Sequence, residues 1–125
     1  MRVLFVDDET EFLELMKIRL VRRSFSVDTA SDGESALRLL DETLNSGESF
    51  DAVVLDVRMP GTDGLEVLRQ MKERRPALPV ILLTGHASMG VAMQGLDLGA
   101  YDYMLKPVGI NELIIKISEA ARMAA

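Results

Sequence analysis

The feature that most constrains the fold is an alternation, repeated five times, of a short apolar run with a longer stretch of helical periodicity. Most of the runs are rich in β-branched residues and apolar throughout, which is typical of strands buried on both faces of a parallel sheet. The predicted strands, in chain order, are residues 3–6, 26–30, 52–55, 80–83 and 102–105. The pattern predicts an α/β fold with a five-stranded parallel sheet, doubly wound, and five helices on both faces.

The first and second helices show the clearest helical signals. The first is predicted over 11–23, with one apolar stripe formed by Leu13, Met16, Leu20 and Val21. Asp32 is predicted to cap the second helix, which is expected to end at 45–47, the sequence Asn-Ser-Gly.

The fourth helix, predicted over 88–98, contains two glycines. Gly90 and Gly95 each lower helix stability by about 1 kcal/mol relative to alanine. This helix is therefore expected to be a segment of low stability that is suited to switching. Met89 and Met93 would add adaptable contact surface if they face outward, and for Met93 the favoured alternative is that it fills the core.

Residues that carry chemistry follow four of the predicted strands. In a doubly wound sheet the functional crevice lies at the carboxyl ends of the strands. The residues found there are Asp7, Asp8, Glu9, Asp56, Thr84, and Lys106 followed by Pro107. Taken singly, each has an ordinary interpretation as a helix cap, a loop acid, a turn or a surface lysine. Their coincidence at successive strand ends favours a single site.

This set of side chains points to phosphoryl transfer. Several carboxylates in one cleft resist ionisation unless a cation is present, and Mg²⁺ prefers such oxygen ligands. An aspartate can act as a nucleophile and form an aspartyl-phosphate. The metal, Lys106 and the Thr84 hydroxyl would then each take a different oxygen of the transferred group.

Four segments carry a family resemblance: VDDE at 6–9, DVRMPGTDG at 56–64, LTGH at 83–86 and GAYDYMLKP at 99–107. In their order and spacing they resemble the receiver domains of two-component response regulators, and the resemblance extends over residues 2–121. It implies a flavodoxin-like strand order and one receiver domain over 1–125, with no output domain in this chain.

The resemblance also implies a reaction and its ligands. Asp56 is expected to accept a phosphoryl group from a phosphohistidine on a sensor histidine kinase or a histidine phosphotransfer protein. Mg²⁺ is the implied cofactor, with Asp8 and Asp56 as direct ligands and Asp7 acting largely through water. The backbone carbonyl of Arg58 is the implied third protein ligand.

The remaining motif residues match the family's switch. Thr84 matches the switch hydroxyl, Lys106 the lysine that pairs with phosphate, and Tyr103 the aromatic ring that moves inward. The fourth helix, fifth strand and fifth helix are the surface expected to change, and a phosphorylation-dependent homodimer through that surface is a family expectation. The peptide bond between Lys106 and Pro107 is expected to be cis.

Two further positions are predicted to modulate the reaction. Arg58 lies two residues after the predicted acceptor, and His86 lies two residues after Thr84. In the family these positions flank the phosphoryl group and influence water access, and here both can be cationic. The alternative is that both side chains point into solvent.

Composition excludes several other classes. With 20 acidic and 14 basic residues the formal charge is −6, which argues against direct nucleic-acid binding by this segment. The N-terminal apolar run is too short for a secretory signal or a membrane span, so a cytoplasmic location is expected. The sequence has no cysteine, which excludes disulfide and thiolate chemistry.

Two other functions share parts of this pattern. Phosphatases of the haloacid-dehalogenase type combine similar groups, but their nucleophile follows the first strand and their acidic pair comes late in the chain. A flavin-binding module would need a phosphate-cradling loop where this chain has acids. The chain is either a stand-alone receiver or the N-terminal part of a longer regulator. Its segments MPGTDG at 59–64 and LTGHAS at 83–88 weakly resemble those of receivers attached to ATPase-dependent transcriptional activators.

Overall fold

The computed structural model describes residues 1–124, and Ala125, the last residue of the domain predicted over 1–125, lies outside the described residues. Within that range the strands are β1 (Arg2–Val6), β2 (Ser26–Ala30), β3 (Ala52–Asp56), β4 (Arg58–Met59), β5 (Thr62–Asp63), β6 (Val80–Thr84) and β7 (Asp102–Leu105). Five of them form one parallel sheet in the order β2-β1-β3-β6-β7. The two-residue strands β4 and β5 pair with each other in a small antiparallel hairpin.

Helices follow the strands of the main sheet. Over residues 1–124 they are α1 (Thr10–Val21), α2 (Gly33–Asn45), α3 (Gly64–Arg74), α4 (Met89–Asp97) and α5 (Ile110–Ala124), with a 3₁₀ turn at His86–Ser88 before α4. In this part of the chain no helix has both the length and the apolar character needed to cross a membrane.

The sheet separates two hydrophobic cores, because alternate residues of a strand point to opposite faces. In β3, Val53 and Leu55 belong to the core under α2, α3 and α4, whereas Ala52 and Val54 belong to the core under α1 and α5. Helices therefore cover both faces, and the predicted doubly wound fold is confirmed.

A helix cap at Asp32 and a close backbone approach at Gly64 fix the loops next to the site. Asp32 caps α2 as predicted, since its carboxylate accepts the backbone N–H of Ser35 at 2.7 Å. Gly64 is the first residue of α3 and lies close to the backbone just after β3, because a Cβ at this position would lie 2.6 Å from the carbonyl oxygen of Val57. The absence of a side chain at this position lets the hairpin fold back beside Asp56.

Two interpretations of apolar residues are wrong. Val21, assigned to the buried stripe of α1, is 49% exposed, because the helix ends there and the chain tightens into turns. Met93, assigned to the core, is 58% exposed on α4. The residues of α4 that do meet the core are Ala92, which is fully buried, and Gly95, whose missing side chain leaves room for Leu82 of β6.

Candidate functional site

The carboxyl edge of the sheet brings the predicted residues together. Asp7 follows β1, Asp56 ends β3, Thr84 ends β6 and Lys106 follows β7. Because these strands are parallel neighbours, their ends share one edge. The convergence inferred from strand order is therefore present in the structure.

Three carboxylates form the centre of this edge. One oxygen from each of Asp7, Asp8 and Asp56 lies within 4.8 Å of the others. Asp7 is fully buried, Asp56 is 4% exposed, and Asp8 is partly exposed. Like charges this close and this poorly hydrated repel each other, so a cation bound among them would stabilise the cluster.

One buried oxygen in the cluster supports the fit of these residues to a metal ion. Asp7 Oδ1 accepts the backbone N–H of Glu9 at 2.9 Å, but Asp7 Oδ2 accepts no hydrogen bond from the residues described. Lys106 Nζ lies 2.8 Å from Oδ2 as a charge contact without hydrogen-bond geometry. An all-oxygen set in which one buried carboxylate oxygen accepts no hydrogen bond suits a hard divalent cation such as Mg²⁺.

Lys106 reaches into the cluster from the loop after β7. Its Nζ lies 2.8 Å from Asp7 Oδ2, 3.0 Å from Glu9 Oε1 and 3.2 Å from Asp56 Oδ2. It also lies 5.1 Å from the centre of the Phe12 ring, within the range of a cation–π contact. The peptide bond from Lys106 to Pro107 is cis, as the family resemblance implied.

The environment changes the proton affinity of both Asp56 and Lys106. Burial raises the pKa of Asp56, and the charge of Asp7 adds to this, whereas the backbone N–H of Arg58 and the ammonium of Lys106 oppose it without cancelling it. Burial would lower the pKa of Lys106, but its contacts with Asp7 and Glu9 and the charge of Asp56 outweigh that and raise it. The ammonium form of Lys106 is therefore favoured, and burial makes the ionised form of Asp56 costly even beside that ammonium.

The hydroxyl and the aromatic residue of the predicted switch lie on neighbouring strands. Thr84 is fully buried, and its Oγ1 donates a hydrogen bond to the carbonyl oxygen of Gly85 at 3.0 Å. Tyr103 pairs in register with Leu82 and packs, partly exposed, against the core under α2, α3 and α4. In this conformation the hydroxyl is turned toward the backbone that follows β6.

The two residues predicted to modulate the site lie on its rim. Arg58 and His86 are both exposed, one at the start of the β4–β5 hairpin and the other at the start of the 3₁₀ turn. The backbone N–H of Arg58 donates to Asp56 Oδ1 at 3.0 Å, so the hairpin is tied to the cluster. The role of the Arg58 carbonyl as a metal ligand stays a prediction.

Glu9, one of the acids expected at this edge, also had an ordinary interpretation as a helix cap, and that alternative is wrong. Glu9 occupies the N-cap position of α1 in an extended conformation, but its side chain makes no capping hydrogen bond. The carboxylate turns to Lys106 instead. Sequence reasoning missed this contact and that of Phe12, although the position of Glu9 beside the acidic pair was a signal for it.

Comparison with known proteins agrees with this geometry. Residues 3–118 match the response regulator receiver domain family. The transcriptional regulatory protein ResD of Bacillus subtilis (strain 168) is 34% identical over 124 residues, which cover 99% of this chain and 49% of ResD. The response regulator MprA of Mycolicibacterium vanbaalenii is 40% identical over 121 residues, which cover 97% of this chain and 50% of MprA. The chain thus spans about half the length of the curated relatives it matches.

Solved structures give the same result. The crystal structure of a response regulator receiver domain protein from Clostridium thermocellum superposes with a TM-score of 0.91 at 35% identity, covering 98% of this chain and 94% of that one. The receiver domain of NtrX from Brucella abortus superposes with a TM-score of 0.86 at 31% identity, covering 96% of this chain and 98% of that one. With its fold, its acidic cluster and these matches, the chain belongs to the response regulator receiver domain family of two-component systems.

Proposed function

We propose that Asp56 accepts a phosphoryl group from a phosphohistidine and that Mg²⁺ is required for the transfer. The observation that carries this proposal is the cluster itself: a buried aspartate at the end of a strand, with two further carboxylates within 4.8 Å and a lysine ammonium at 3.2 Å. An aspartate nucleophile, a cation site and a positioned lysine are the parts that phosphoryl transfer to a carboxylate needs.

The acidic cluster supplies the cation site. Asp8 and Asp56 are proposed as direct ligands, Asp7 as a ligand largely through water, and the Arg58 carbonyl as a third protein ligand. When bound, Mg²⁺ neutralises charge on the phosphoryl oxygens and allows Asp56 to stay ionised. The buried Asp7 Oδ2, which accepts no hydrogen bond from residues 1–124, supports this assignment.

Three side chains of this protein act on the transferred group. An Asp56 carboxylate oxygen attacks phosphorus, the bond from phosphorus to the imidazole nitrogen breaks, and the nitrogen leaves with the electron pair. Lys106 is within reach of an oxygen on the new phosphoryl group, because its ammonium already faces Asp56. Thr84, on the next strand, would hydrogen-bond another oxygen after releasing the Gly85 carbonyl.

That change at Thr84 links the chemistry to a surface. Tyr103, on the strand next to β6, is proposed to turn inward when the hydroxyl leaves its present position. The surface formed by α4, β7 and α5 would then differ between the two states. Recognition of that surface by an output module, or its pairing in a homodimer, is proposed as the consequence.

The rest of the signalling context belongs to the same proposal. A sensor histidine kinase or a histidine phosphotransfer protein is the proposed donor, and residues 1–125 are proposed to form one receiver unit in the cytoplasm. The unit is proposed to assist its own phosphorylation and dephosphorylation without turning over a separate substrate. The formal charge of −6 supports a segment that does not bind nucleic acid directly.

The proposal is tested by intact mass spectrometry after incubation with acetyl phosphate, with and without Mg²⁺. The expected result is one phosphoryl adduct that requires Mg²⁺ and is lost in Asp56→Asn. Asp51→Asn, which removes an exposed acid at the other edge of the sheet, is the matched control and should keep the adduct. An adduct that survives in Asp56→Asn, or that forms equally without Mg²⁺, would contradict the proposal.

A further inference from the structure

Lys106 already has three acidic partners around the ammonium that would bind a phosphoryl oxygen. Its ammonium has three N–H groups, and three carboxylates lie within 3.2 Å of it, those of Asp7, Glu9 and Asp56. Two of these carboxylates, those of Glu9 and Asp56, accept hydrogen bonds from the ammonium, so a phosphoryl oxygen that joins Lys106 competes with them for it.

The three partners differ in what it costs to release them. The side chains of Asp7 and Asp56 are 0% and 5% exposed, so that either would be left as a poorly hydrated anion. The side chain of Glu9 is 65% exposed, and water can solvate it as soon as it leaves. Glu9 is the partner that exchanges at the lowest cost.

The aromatic contact keeps Lys106 in place during such an exchange. The ammonium lies 5.1 Å from the centre of the Phe12 ring. That ring packs edge-on against Phe5 of β1, with centroids 6.0 Å apart and an interplanar angle of 70°. Because Phe5 is fully buried, the ring is anchored to the core and does not depend on Glu9.

The backbone around Glu9 supports a role outside the helix. The residue is at the N-cap of α1, where an acidic side chain ordinarily accepts a backbone N–H of the first turn. Its own N–H donates to Asp7 Oδ1 at 2.9 Å, and its side chain accepts no hydrogen bond from the helix end. The geometry of the loop after β1 thus directs Glu9 toward Lys106.

We propose that Glu9 is a placeholder for the incoming phosphoryl group: its carboxylate occupies the Lys106 ammonium in the unphosphorylated protein and is displaced by a phosphoryl oxygen on transfer. This inference rests on the proposed function of Asp56. It makes Glu9 a positioning residue that sets how readily Lys106 becomes available, and it assigns Phe12 as the support that holds the ammonium meanwhile.

The test compares Glu9→Gln with Glu11→Gln, which removes the same charge from the same end of α1 at an exposed position. Phosphorylation by acetyl phosphate at saturating Mg²⁺ is followed by intact mass over time. Glu9→Gln is expected to be phosphorylated about two- to fivefold faster than Glu11→Gln, the range set by losing one largely exposed ion pair. Equal rates in the two variants, or a slower Glu9→Gln, would overturn the inference.

Two binding measurements separate competition from a merely structural effect. Affinity for beryllofluoride in the presence of Mg²⁺, measured by calorimetry, should increase by a similar factor in Glu9→Gln alone, while affinity for Mg²⁺ alone stays within about twofold. Without any phosphoryl donor, the ¹⁵N signal of the Lys106 ammonium, assigned by its loss in Lys106→Arg, should shift in Glu9→Gln and not in Glu11→Gln. An unshifted signal overturns the inference directly.

These outcomes are distinct from failure of the proposed function. If the wild-type protein forms no adduct with acetyl phosphate and does not bind beryllofluoride, the proposed function and this inference fall together. If the adduct forms normally and the two glutamine variants behave alike, only the placeholder role is removed.

Discussion

Two charge clusters lie at opposite edges of the sheet, and in each a basic side chain faces carboxylates and an aromatic ring. At the carboxyl edge, Lys106 contacts Asp7, Glu9 and Asp56 and lies 5.1 Å from the Phe12 ring centre.

At the amino edge, Arg2 has a closely similar set of partners. Its guanidinium pairs with Asp28 at 2.8 Å and with Glu48, and its backbone N–H donates to Asp51 at 2.8 Å. The guanidinium also lies 5.1 Å from the centre of the Phe50 ring.

The two clusters differ in burial and in how completely their oxygens are paired. The side chains of Asp28 and Glu48 are 35% and 65% exposed, and the hydrogen bond to Asp28 raises the pKa of Arg2. The side chains of Asp7 and Asp56 are 0% and 5% exposed, and burial raises the pKa of Asp56.

The comparison separates a structural cluster from a functional one. A guanidinium fork at a hydrated edge satisfies its acids and ties the α2–β3 loop to β1 and β2. In a buried cluster, an oxygen that accepts no hydrogen bond from residues 1–124 is energetically unfavourable, and a bound cation would stabilise it. The same residue types thus tie elements of the fold together at one edge and form, at the other, an acidic cluster that could hold a metal ion.

The largest expected difference is in Mg²⁺ affinity. Asp7→Asn should weaken Mg²⁺ binding about 10- to 100-fold, the usual loss for a group that acts through water at a metal site. Asp28→Asn, the matched change at the amino edge, should leave the affinity within about twofold. Calorimetric titration of both variants checks this, and similar losses in both would contradict the distinction between the clusters.

The second expected difference is in the free energy of unfolding, and here the change at the amino edge has the effect. Arg2→Met should lower the free energy of unfolding by about 1–2 kcal/mol, because two ion pairs and a cation–π contact are lost together. Mg²⁺ affinity should not change. Urea unfolding measures the effect, with Arg19→Met on the exposed face of α1 as the control, and equal stability of the two variants would contradict the structural role of Arg2.

The third prediction concerns pH in Mg²⁺-free buffer. Because the folded-state pKa of Asp56 is raised, the folded protein binds more protons than the unfolded chain between the two values, and Asp56 makes stability fall as pH rises through that window. Asp56→Asn should remove this fall and raise the free energy of unfolding at neutral pH by about 1 kcal/mol. Asp51→Asn should give no such gain. Denaturant titrations across pH decide it, and a destabilised Asp56→Asn would be contrary to the account.

The smallest expected effect is at the rim of the functional cluster. Replacing exposed Arg58 or His86 with alanine should change the lifetime of the phosphoryl adduct by about two- to fivefold, equivalent to less than about 1 kcal/mol in the barrier to hydrolysis. Arg122→Ala, an exposed change on α5, is the control. Unchanged lifetimes in both rim variants would mean that the two side chains only point into solvent.

The fold and the functional cluster could be predicted because their signals are local. Residues 26–30 and 102–105 were predicted as strands with the bounds that the structure shows. Asp56 and Lys106 could be placed together because parallel strands end at one edge, whatever the details of the loops.

What sequence reasoning missed depends on contacts between distant residues or on very short elements. The strands of the β4–β5 hairpin have two residues each, too few to show any periodicity. Arg2 and Glu48 are 46 positions apart, so no spacing rule connects them. A helix cap was the ordinary alternative for Glu9 because capping is the nearest interpretation of an acid at that position, whereas its partner lies 97 residues away.

The central claim is that the buried acidic cluster exists to make Asp56 a phosphoryl acceptor, and locating the adduct tests it most directly. Borohydride reduction of the protein treated with acetyl phosphate and Mg²⁺ converts an aspartyl-phosphate to homoserine, which peptide mapping by mass spectrometry places in the chain. The account predicts homoserine at residue 56 in the wild-type protein. Homoserine at residue 7 or 8, or at an acid of the amino edge, would contradict it.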